Sequence, residues 1–402
     1  MGLGFLRFVL ALSVICTHGG GLLGYDMATG RGAVEGFFML SGFLMQLVLS
    51  ERYDPKKDLV LFYTNRALRI YPTYFLALLF ALAIAGLLSS YSAGFFFDLN
   101  AVSSAITPLE WLKIILTHLF IFGQDTFVFQ HIDATSLLYT ANGVGNASDT
   151  LLVIPPAWSI SLELMFYLLA PFLARLSTSW LVAIMLGSFA LRCISWSTGL
   201  DYDPWTYRFF PFEVLLFVGG MVSYRCREAI IAAINPQRIR PVPLIALFAT
   251  LMVHPALLVA MRLNIPEEAV YMGFYALLFL VLPGLFECSR GSKLDNWLGS
   301  FSFPVYLLHW PIIMAYNVFF GLQNGIYHGT ERTVICAVLT LIVSYGVVVL
   351  VENPLDRIRK LRHTRRVNHD AAIPAAMHIV SELVPYQLDG PPQLPRTQRS
   401  QS

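Results

Sequence analysis

An arginine and a histidine stand eleven residues apart in the first apolar stretch of the chain. In an α-helix, which advances about 100° and 1.5 Å per residue, Arg7 and His18 would project from nearly the same face, roughly 16 Å apart along the axis. A guanidinium group can hold phosphate oxygens, and an imidazole can accept a proton at neutral pH. The spacing therefore predicts one polar stripe, although lipid-phosphate contact for Arg7 and a packing role for His18 are the plain alternatives.

Two carboxylates also fall within apolar stretches. Glu35 opens the string Glu35–Phe43, and Ser159, Glu163 and Tyr167 follow one another at i,i+4 spacing, so these three would share a helix face. An ionisable group at membrane depth costs at least about 2.5–3.5 kcal/mol, which makes each one a functional hypothesis. We expect Glu35 to pair with a basic group of the first span, and Glu163 to act together with its two hydroxyl neighbours.

Two further polar stripes complete the set. Arg66 and Arg69 lie three residues apart ahead of an apolar run, where they would suit phosphate oxygens or simply mark a cytoplasmic flank. Nearer the C-terminus, Tyr306 and His309 follow Ser302 at i,i+4 and i,i+7 spacing. For Tyr306, a place in the aromatic belt at the membrane surface is the competing interpretation.

The elements that must position these residues are apolar and long. Of the 402 residues, 56% are hydrophobic and only 13% are charged, about half of the roughly 25% charged share of soluble domains, so a water-soluble fold is excluded. A membrane-spanning helix needs about 20 mostly apolar residues. We predict an all-α, polytopic integral membrane helix bundle with ten spans, at 5–23, 33–50, 69–89, 155–174, 180–196, 208–224, 241–262, 269–286, 299–319 and 332–351. The segment 109–124 carries three ionisable side chains in a short window, and we predict that it is re-entrant or interfacial.

The placement of charge predicts the orientation of these spans. Lysine and arginine cluster at 52–69, 225–240, 290–293 and 357–366, which the positive-inside rule assigns to the cytoplasm. The breaks without lysine or arginine carry aspartates and are expected to be periplasmic; they are 90–108, 125–152 and 197–207. Both termini are then cytoplasmic. We predict a membrane domain over 1–356 and a basic, mostly disordered cytoplasmic tail over 357–402.

Taken in order, these strings resemble the acyltransferase type 3 family, the bacterial integral-membrane acyltransferases of carbohydrates. The likeness extends over roughly residues 3–356. Its motifs are Arg-x10-His at Arg7 and His18, acidic-x-Phe-Phe-x-x-Ser-Gly-Phe from Glu35, Arg-x-x-Arg-Ile-Tyr-Pro from Arg66, Trp-Ser-x-Ser-x-Glu-x-x-Phe-Tyr from Trp158, Tyr-x-x-His-x-Pro from Tyr306 and Glu-x-Pro from Glu352. Gly36 stands where the family more often has a bulkier apolar residue.

The resemblance implies an O-acyltransferase of the bacterial inner membrane. Its donor would be an acyl-CoA, here acetyl-CoA, and its acceptor a carbohydrate or lipid-linked saccharide. Membrane lipids would be its other partners, with no nucleic acid, no metal and no permanently bound cofactor. The expected donor-binding residues are Arg66 and Arg69 with Arg7 as a third.

The residue chemistry suggests how such a transfer would run. His18 would be the general base or a transiently acylated nucleophile, and Glu163 or Glu35 would orient its imidazole. Hydrogen bonds to the oxyanion or to the sugar would come from Ser159, Tyr167, Tyr306 and His309.

Two readings from other functional classes compete with this one. In a proton-coupled transporter or flippase of a lipid-linked sugar, His18, Glu35, Glu163 and His309 would form a proton relay. In a structural scaffold for polysaccharide assembly, none of these side chains would affect activity. The five cysteines stand far apart, which indicates packing residues rather than a zinc site or a disulfide framework.

Overall fold

The computed structural model describes residues 2–54, 57–88, 106–132, 137–139, 151–234, 239–320, 329–364 and 366. Parts of the predicted loops 90–108 and 125–152, and nearly all of the predicted disordered tail, lie outside the described residues. The fold is all-α, as predicted from the long apolar stretches, because in lipid only intrahelical hydrogen bonds satisfy the backbone of a single segment. Its helices are α1 (Leu3–Gly19), α2 (Thr29–Glu51), α3 (Leu59–Leu88), α4 (Pro108–Phe120), α5 (Trp158–Leu173), α6 (Thr178–Ser197), α7 (Phe210–Arg225), α8 (Arg227–Ile234), α9 (Val242–Arg262), α10 (Glu267–Ser289), α11 (Lys293–Phe320) and α12 (Gly329–Val347).

Each of the ten predicted spans coincides with one of these helices. Within the described residues, eight helices are long and apolar enough to cross a membrane, and α1 and α7 are shorter, with 17 and 16 residues. Helix α4 has 13 residues and begins with a capping box between Thr107 and Glu110. At 1.5 Å per residue it is only about 20 Å long, too short for a hydrocarbon core of about 30 Å, which agrees with an interfacial position. A short β-hairpin, β1 (Gln130–Ile132) and β2 (Leu137–Tyr139), follows it.

The helices divide into a buried inner group and an outer group that faces lipid. The apolar window of α2 is 72% buried, whereas those of α6 and α9 are each 22% buried. The outer helices present leucine, isoleucine and phenylalanine outward, as expected of a surface in contact with acyl chains. The candidate functional residues lie on the inner helices α1, α2, α5 and α11 and on the N-terminal half of α3.

Glycines bring the inner helices into backbone contact. A Cβ atom on Gly42 would lie 1.8 Å from the carbonyl oxygen of Phe217, and one on Gly220 would lie 2.0 Å from that of Met39. The small residues of the Glu35–Phe43 string therefore allow α2 to pack against α7, as the sequence predicts. This contact fixes the rotation of α2, and with it the separate directions of Glu35 and Ser41.

The beginning of α1 is held by one buried carboxylate. Asp295, near the start of α11, accepts hydrogen bonds from the backbone N–H groups of Gly2 (2.6 Å), Gly4 (2.8 Å) and Phe5 (3.1 Å). These donors have no partner within a helix, and a carboxylate at a helix N-terminus also meets the positive end of the helix dipole. Asp295 thus sets the depth of α1, the helix that carries both Arg7 and His18.

The chain forms two compact units, Met1–Leu355 and Asp356–Ser402. The first contains all the helices named above. It ends just after a π-helical turn, Val348–Glu352, which continues α12. In the second, residues 356–364 are helical and Asp356 pairs with Arg359 and Lys360.

Candidate active site

Two histidines from opposite ends of the sequence meet in the bundle. Nδ1 of His18, on the last turn of α1, lies 2.9 Å from Nε2 of His309 on α11. The ring planes differ by only 4° while the centroids are 5.1 Å apart. Since 2.9 Å is shorter than any contact between stacked ring faces, the rings must meet edge to edge in nearly one plane, joined by a hydrogen bond. The His18 ring also packs at a right angle to the Trp310 indole, with 5.2 Å between the ring centroids.

The hydrogen bonds assign the tautomers of this pair. Nδ1 of His309 lies 2.7 Å from the backbone carbonyl oxygen of Tyr306, which can only accept, so that nitrogen carries a hydrogen. With both rings neutral, Nε2 of His309 then accepts from Nδ1–H of His18. The assignment leaves Nε2 of His18 with an unshared lone pair, the arrangement that a general base requires.

A cavity opens between α1, α2, α5 and α11, and neither histidine is part of its lining. It encloses about 530 Å³, including its opening to solvent. Its polar lining comes from the candidate segments of α1, α2, α5 and α11, but not from the arginines of α3. The polar lining residues are Arg7, Ser41, Ser159, Glu163, Ser302 and Tyr306. Tyr306 connects the cavity to the histidines, since its ring centroid is 5.9 Å from that of His309.

The hydroxyl groups of the cavity form two hydrogen-bonded sets. Glu163 accepts from Ser41 at 2.5 Å and from the Tyr167 hydroxyl, one turn further along α5. The hydroxyl oxygens of Ser159 and Tyr306 are 2.6 Å apart. The predicted face of Ser159, Glu163 and Tyr167 is therefore present, and it looks toward α2 and α11.

Three arginines gather near the other end of α1. Arg7 and Arg66 make no hydrogen bond or ion pair to any residue that the structure describes; the Arg66 guanidinium lies over the rings of Phe62 and Tyr167, at 5.7 and 5.9 Å. Arg69 differs, because Nη1 lies 2.7 Å from a carboxylate oxygen of Glu352. Glu163 and Glu352 are the carboxylates near these arginines, so three positive charges stand against two negative ones. The net positive charge favours the binding of an anion.

Glu352 is held in place by its neighbours. Its second oxygen accepts from the Thr73 hydroxyl at 2.6 Å, and the residue ends the π-helical turn after α12. Turns of this kind occur often at functional sites. The closing Glu-x-Pro string of the sequence therefore acts on Arg69, a partnership that no spacing rule predicts.

The partners expected for Glu35 were wrong. No basic group of α1 reaches it; its carboxylate pairs with Arg31 at 3.0 Å and Arg192 at 3.1 Å, and accepts from the Tyr275 hydroxyl. The reason is packing, because the contact of α2 with α7 turns Glu35 away from α1 and toward α6 and α10. Glu213 of α7 completes this network, 2.6 Å from Arg192.

The orientation of His18 also differs from the expectation. Neither Glu163 nor Glu35 makes a hydrogen bond with its imidazole, and the orienting group is His309, which the sequence offered only as a hydrogen-bond donor or as a member of a proton relay. Arg192 and Glu213 are the other residues that the motif search missed. The rule that singled out Glu35, an ionisable side chain inside an apolar span, applies equally to Arg192 and would have found it.

Comparison with known proteins identifies the family of the chain. Residues 2–349 match the family described as the acyltransferase domain. The chain is 25% identical over 352 residues to the exopolysaccharide production protein ExoZ of Rhizobium meliloti (strain 1021), an alignment that covers 86% of this chain and 95% of that protein. No solved structure matches the chain. Since the matching region spans nearly all of the membrane bundle, the chain belongs to this acyltransferase family and is a membrane acyltransferase.

Proposed function

We propose that this chain transfers an acetyl group from acetyl-CoA to a hydroxyl of an exported or envelope carbohydrate, in the bacterial inner membrane. The observation that carries the proposal is the cavity between α1, α2, α5 and α11. Arg7, which has no hydrogen-bond or ion-pair partner among the described residues, lies in its wall, and the base His18 lies at the other end of α1, next to His309 and so one ring away from the cavity residue Tyr306. The name of the similar Rhizobium protein, an exopolysaccharide production protein, supports a carbohydrate acceptor.

The donor fits the distance between the arginines and the histidine pair. Arg7 and Arg66, which pair with no described residue, offer their guanidinium groups to the phosphates of coenzyme A, in the bidentate manner that arginine favours. The pantetheine arm is a long flexible chain between those phosphates and the thioester. It suits a site whose arginine and histidine are separated by roughly 16 Å along one helix. The positive-inside rule places the arginine end at the cytoplasm, where acetyl-CoA is made.

The transfer then needs one base and one proton return. His18 Nε2 takes the proton of the acceptor hydroxyl as its oxygen attacks the thioester carbon, and His309 stabilises the resulting imidazolium through Nδ1–H of His18. The Ser159 and Tyr306 hydroxyls would donate to the oxyanion in place of their hydrogen bonds to the carbonyl oxygen of Pro156, at 3.0 and 2.9 Å. The carbon–sulfur bond breaks, the ester bond remains, and His18 returns the proton to the coenzyme A thiolate.

A labelling experiment tests this function against the transporter. Purified protein in lipid nanodiscs is incubated with acetyl-CoA labelled in the acetyl group and with unacylated envelope polysaccharide. We expect label in the polysaccharide with the wild type and with His254→Ala, a matched histidine variant on the outer helix α9, but not with His18→Ala. If all the label stays on the thiol with the wild type, the transfer function is wrong and the transporter reading gains support.

A further inference from the structure

The loop between α6 and α7 holds one arginine in a fixed position. Nε of Arg208 lies 2.7 Å from one carboxylate oxygen of Asp203, and Nη2 donates to the other at 2.9 Å and to the Tyr207 hydroxyl at 2.6 Å. The face of the guanidinium lies 4.8 Å from the ring centres of both Trp158 and Tyr207. One edge and the planar face are thus occupied, which removes most of the rotational freedom of a long side chain.

The remaining edge of Arg208 is free. Its Nη1 group makes no hydrogen bond within the part of the chain that the structure describes, and it is not sealed from solvent. A guanidinium group carries five N–H donors, so the two diverging N–H groups of Nη1 remain for a ligand. Each of them can donate to one oxygen atom.

The guanidinium group of Arg208 lies near the histidine pair. Arg208 is close enough to His18 and to Tyr306 to interact electrostatically with both. Trp158, on which it stacks, directly precedes the cavity residue Ser159. Arg208 lies before the N-terminus of α7 and so at the opposite end of that helix from the arginine cluster at 225–240, about 24 Å away.

Aromatic rings surround the same loop. Trp205 packs edge to face against Phe129 at 5.0 Å and against Phe209 at 5.3 Å, and Tyr207 packs against Trp158 at 5.7 Å. Trp205, Phe129 and Phe209 are only partly buried. Sugars present an apolar C–H face and a rim of hydroxyls, so partly exposed rings beside a fixed arginine–aspartate pair suit a carbohydrate.

We propose that Arg208 binds the carbohydrate acceptor, with its Nη1 group donating to hydroxyl oxygens of the sugar so that another hydroxyl of the sugar reaches His18. Asp203 is a positioning residue that holds the guanidinium. Trp205 and its ring neighbours form the apolar side of the subsite. The inference rests on the proposed function, because it names the acceptor half of the same site.

Steady-state kinetics of Arg208→Lys test the subsite. The acceptor probe is a set of oligosaccharides cut from unacylated exopolysaccharide of a strain that lacks the gene, and the donor is labelled acetyl-CoA. A lysine keeps the charge but not the fork. We expect KM for the oligosaccharide to rise at least about tenfold, with any change in kcat smaller than the change in KM.

The control is Arg227→Lys on α8. Arg227 also stacks on a tyrosine, Tyr224 at 4.4 Å, and also pairs with a neighbouring carboxylate, Glu228 at 3.2 Å, but it follows the other end of α7. It should leave KM for the oligosaccharide unchanged. If Arg208→Lys does not insert, Asp203→Asn serves instead, and we expect a rise of about threefold to tenfold in the same constant because the fork is no longer held.

Three results would overturn the inference or what it rests on. An unchanged KM for the oligosaccharide in Arg208→Lys, or in Asp203→Asn where that variant replaces it, means that the loop is only an aromatic belt at the membrane surface. A fall in kcat with KM unchanged assigns the guanidinium to the oxyanion and not to the acceptor. A wild-type protein that transfers no label at all contradicts the proposed function itself.

Discussion

Two clusters of arginine side chains lie at membrane depth in this bundle, and they differ in what faces the guanidinium groups. Arg31 and Arg192 are surrounded by carboxylates, with Glu35 between them and Glu213 beyond. Arg7, in the second cluster, lines the cavity and has no carboxylate within hydrogen-bonding distance among the described residues. We call the first cluster closed because each of these charged side chains has a partner of opposite sign, and we call the cluster of Arg7 open because Arg7 has none among the described residues.

The difference separates structure from function. A closed network of buried charges costs much to desolvate and is stable only because each partner is present, so it serves to join helices. Here it ties α2 to α6, α7 and α10. An open cluster keeps an uncompensated buried charge, which has a similar desolvation cost. A ligand of opposite charge can then provide the ion-pair partner that the protein itself does not provide. Both clusters look alike in the sequence, as single ionisable residues in apolar spans.

The largest effect is expected from breaking the closed cluster. Arg192→Ala leaves Glu35 and Glu213 buried with one partner fewer, which should lower the free energy of unfolding by about 3–5 kcal/mol. Thermal unfolding in detergent measures it. Arg262→Ala, at an exposed position at the end of α9, is the control and should stay within about 0.5 kcal/mol of wild type. An Arg192→Ala protein as stable as wild type would mean that the network does not hold the helices.

The next effect is chemical. His18→Ala should insert normally yet lose at least about 10²-fold in transfer rate, and His18→Gln should fare no better, because an amide cannot accept the proton. Acetyl-CoA binding by both variants should persist. The wild-type rate should fall as pH drops through the pKa of the base, since only the neutral imidazole accepts a proton. A His18→Ala protein that keeps most of its rate would make the imidazole structural and His309 the next candidate.

A smaller effect distinguishes Arg69 from its open neighbours. Arg69 already has a carboxylate partner, Glu352, so it contributes one edge of its fork at most to the donor. Arg69→Ala should raise KM for acetyl-CoA by about tenfold with normal protein levels in the membrane, and Arg69→Lys should recover little of it. Wild-type kinetics in the lysine variant would return this residue to the status of a topology signal.

The last prediction concerns only the side of the membrane that each cluster faces, and its test perturbs the protein least. Reporter tags after Ser402 and within 225–240 should report the cytoplasm, and a tag within 125–152 should report the periplasm, all without loss of activity. This arrangement puts the open arginines at the cytoplasmic end and the histidine pair outside them. Cytoplasmic activity from the 125–152 position would contradict the ten-span arrangement.

The helices were predictable because lipid leaves little choice. Apolar runs of about 20 residues give helices, and their bounds agree with the observed ones to within a few residues at most ends. The face shared by Ser159, Glu163 and Tyr167 was equally predictable, since it depends on the period of one helix.

Contacts between helices were not predictable from one sequence. The His18–His309 pair joins residues 291 positions apart, and the Arg69–Glu352 pair joins residues 283 apart. Which helix faces which is decided by packing, as when Gly42 and Gly220 turn Glu35 away from α1. Periodicity fixes the face of a side chain on its own helix, and only the assembled bundle decides what that face meets.

A crossed comparison of one arginine from each cluster tests the distinction between open and closed most directly. Binding of labelled acetyl-CoA and thermal stability are measured on the same preparations of Arg7→Gln and Arg192→Gln. We predict that Arg7→Gln loses at least about tenfold in acetyl-CoA affinity while its unfolding temperature is kept or raised, because an uncompensated charge is removed. Arg192→Gln should show a lower unfolding temperature with acetyl-CoA affinity kept in the folded fraction. Wild-type affinity in Arg7→Gln, or loss of affinity in folded Arg192→Gln with Arg7→Gln unaffected, would contradict the account.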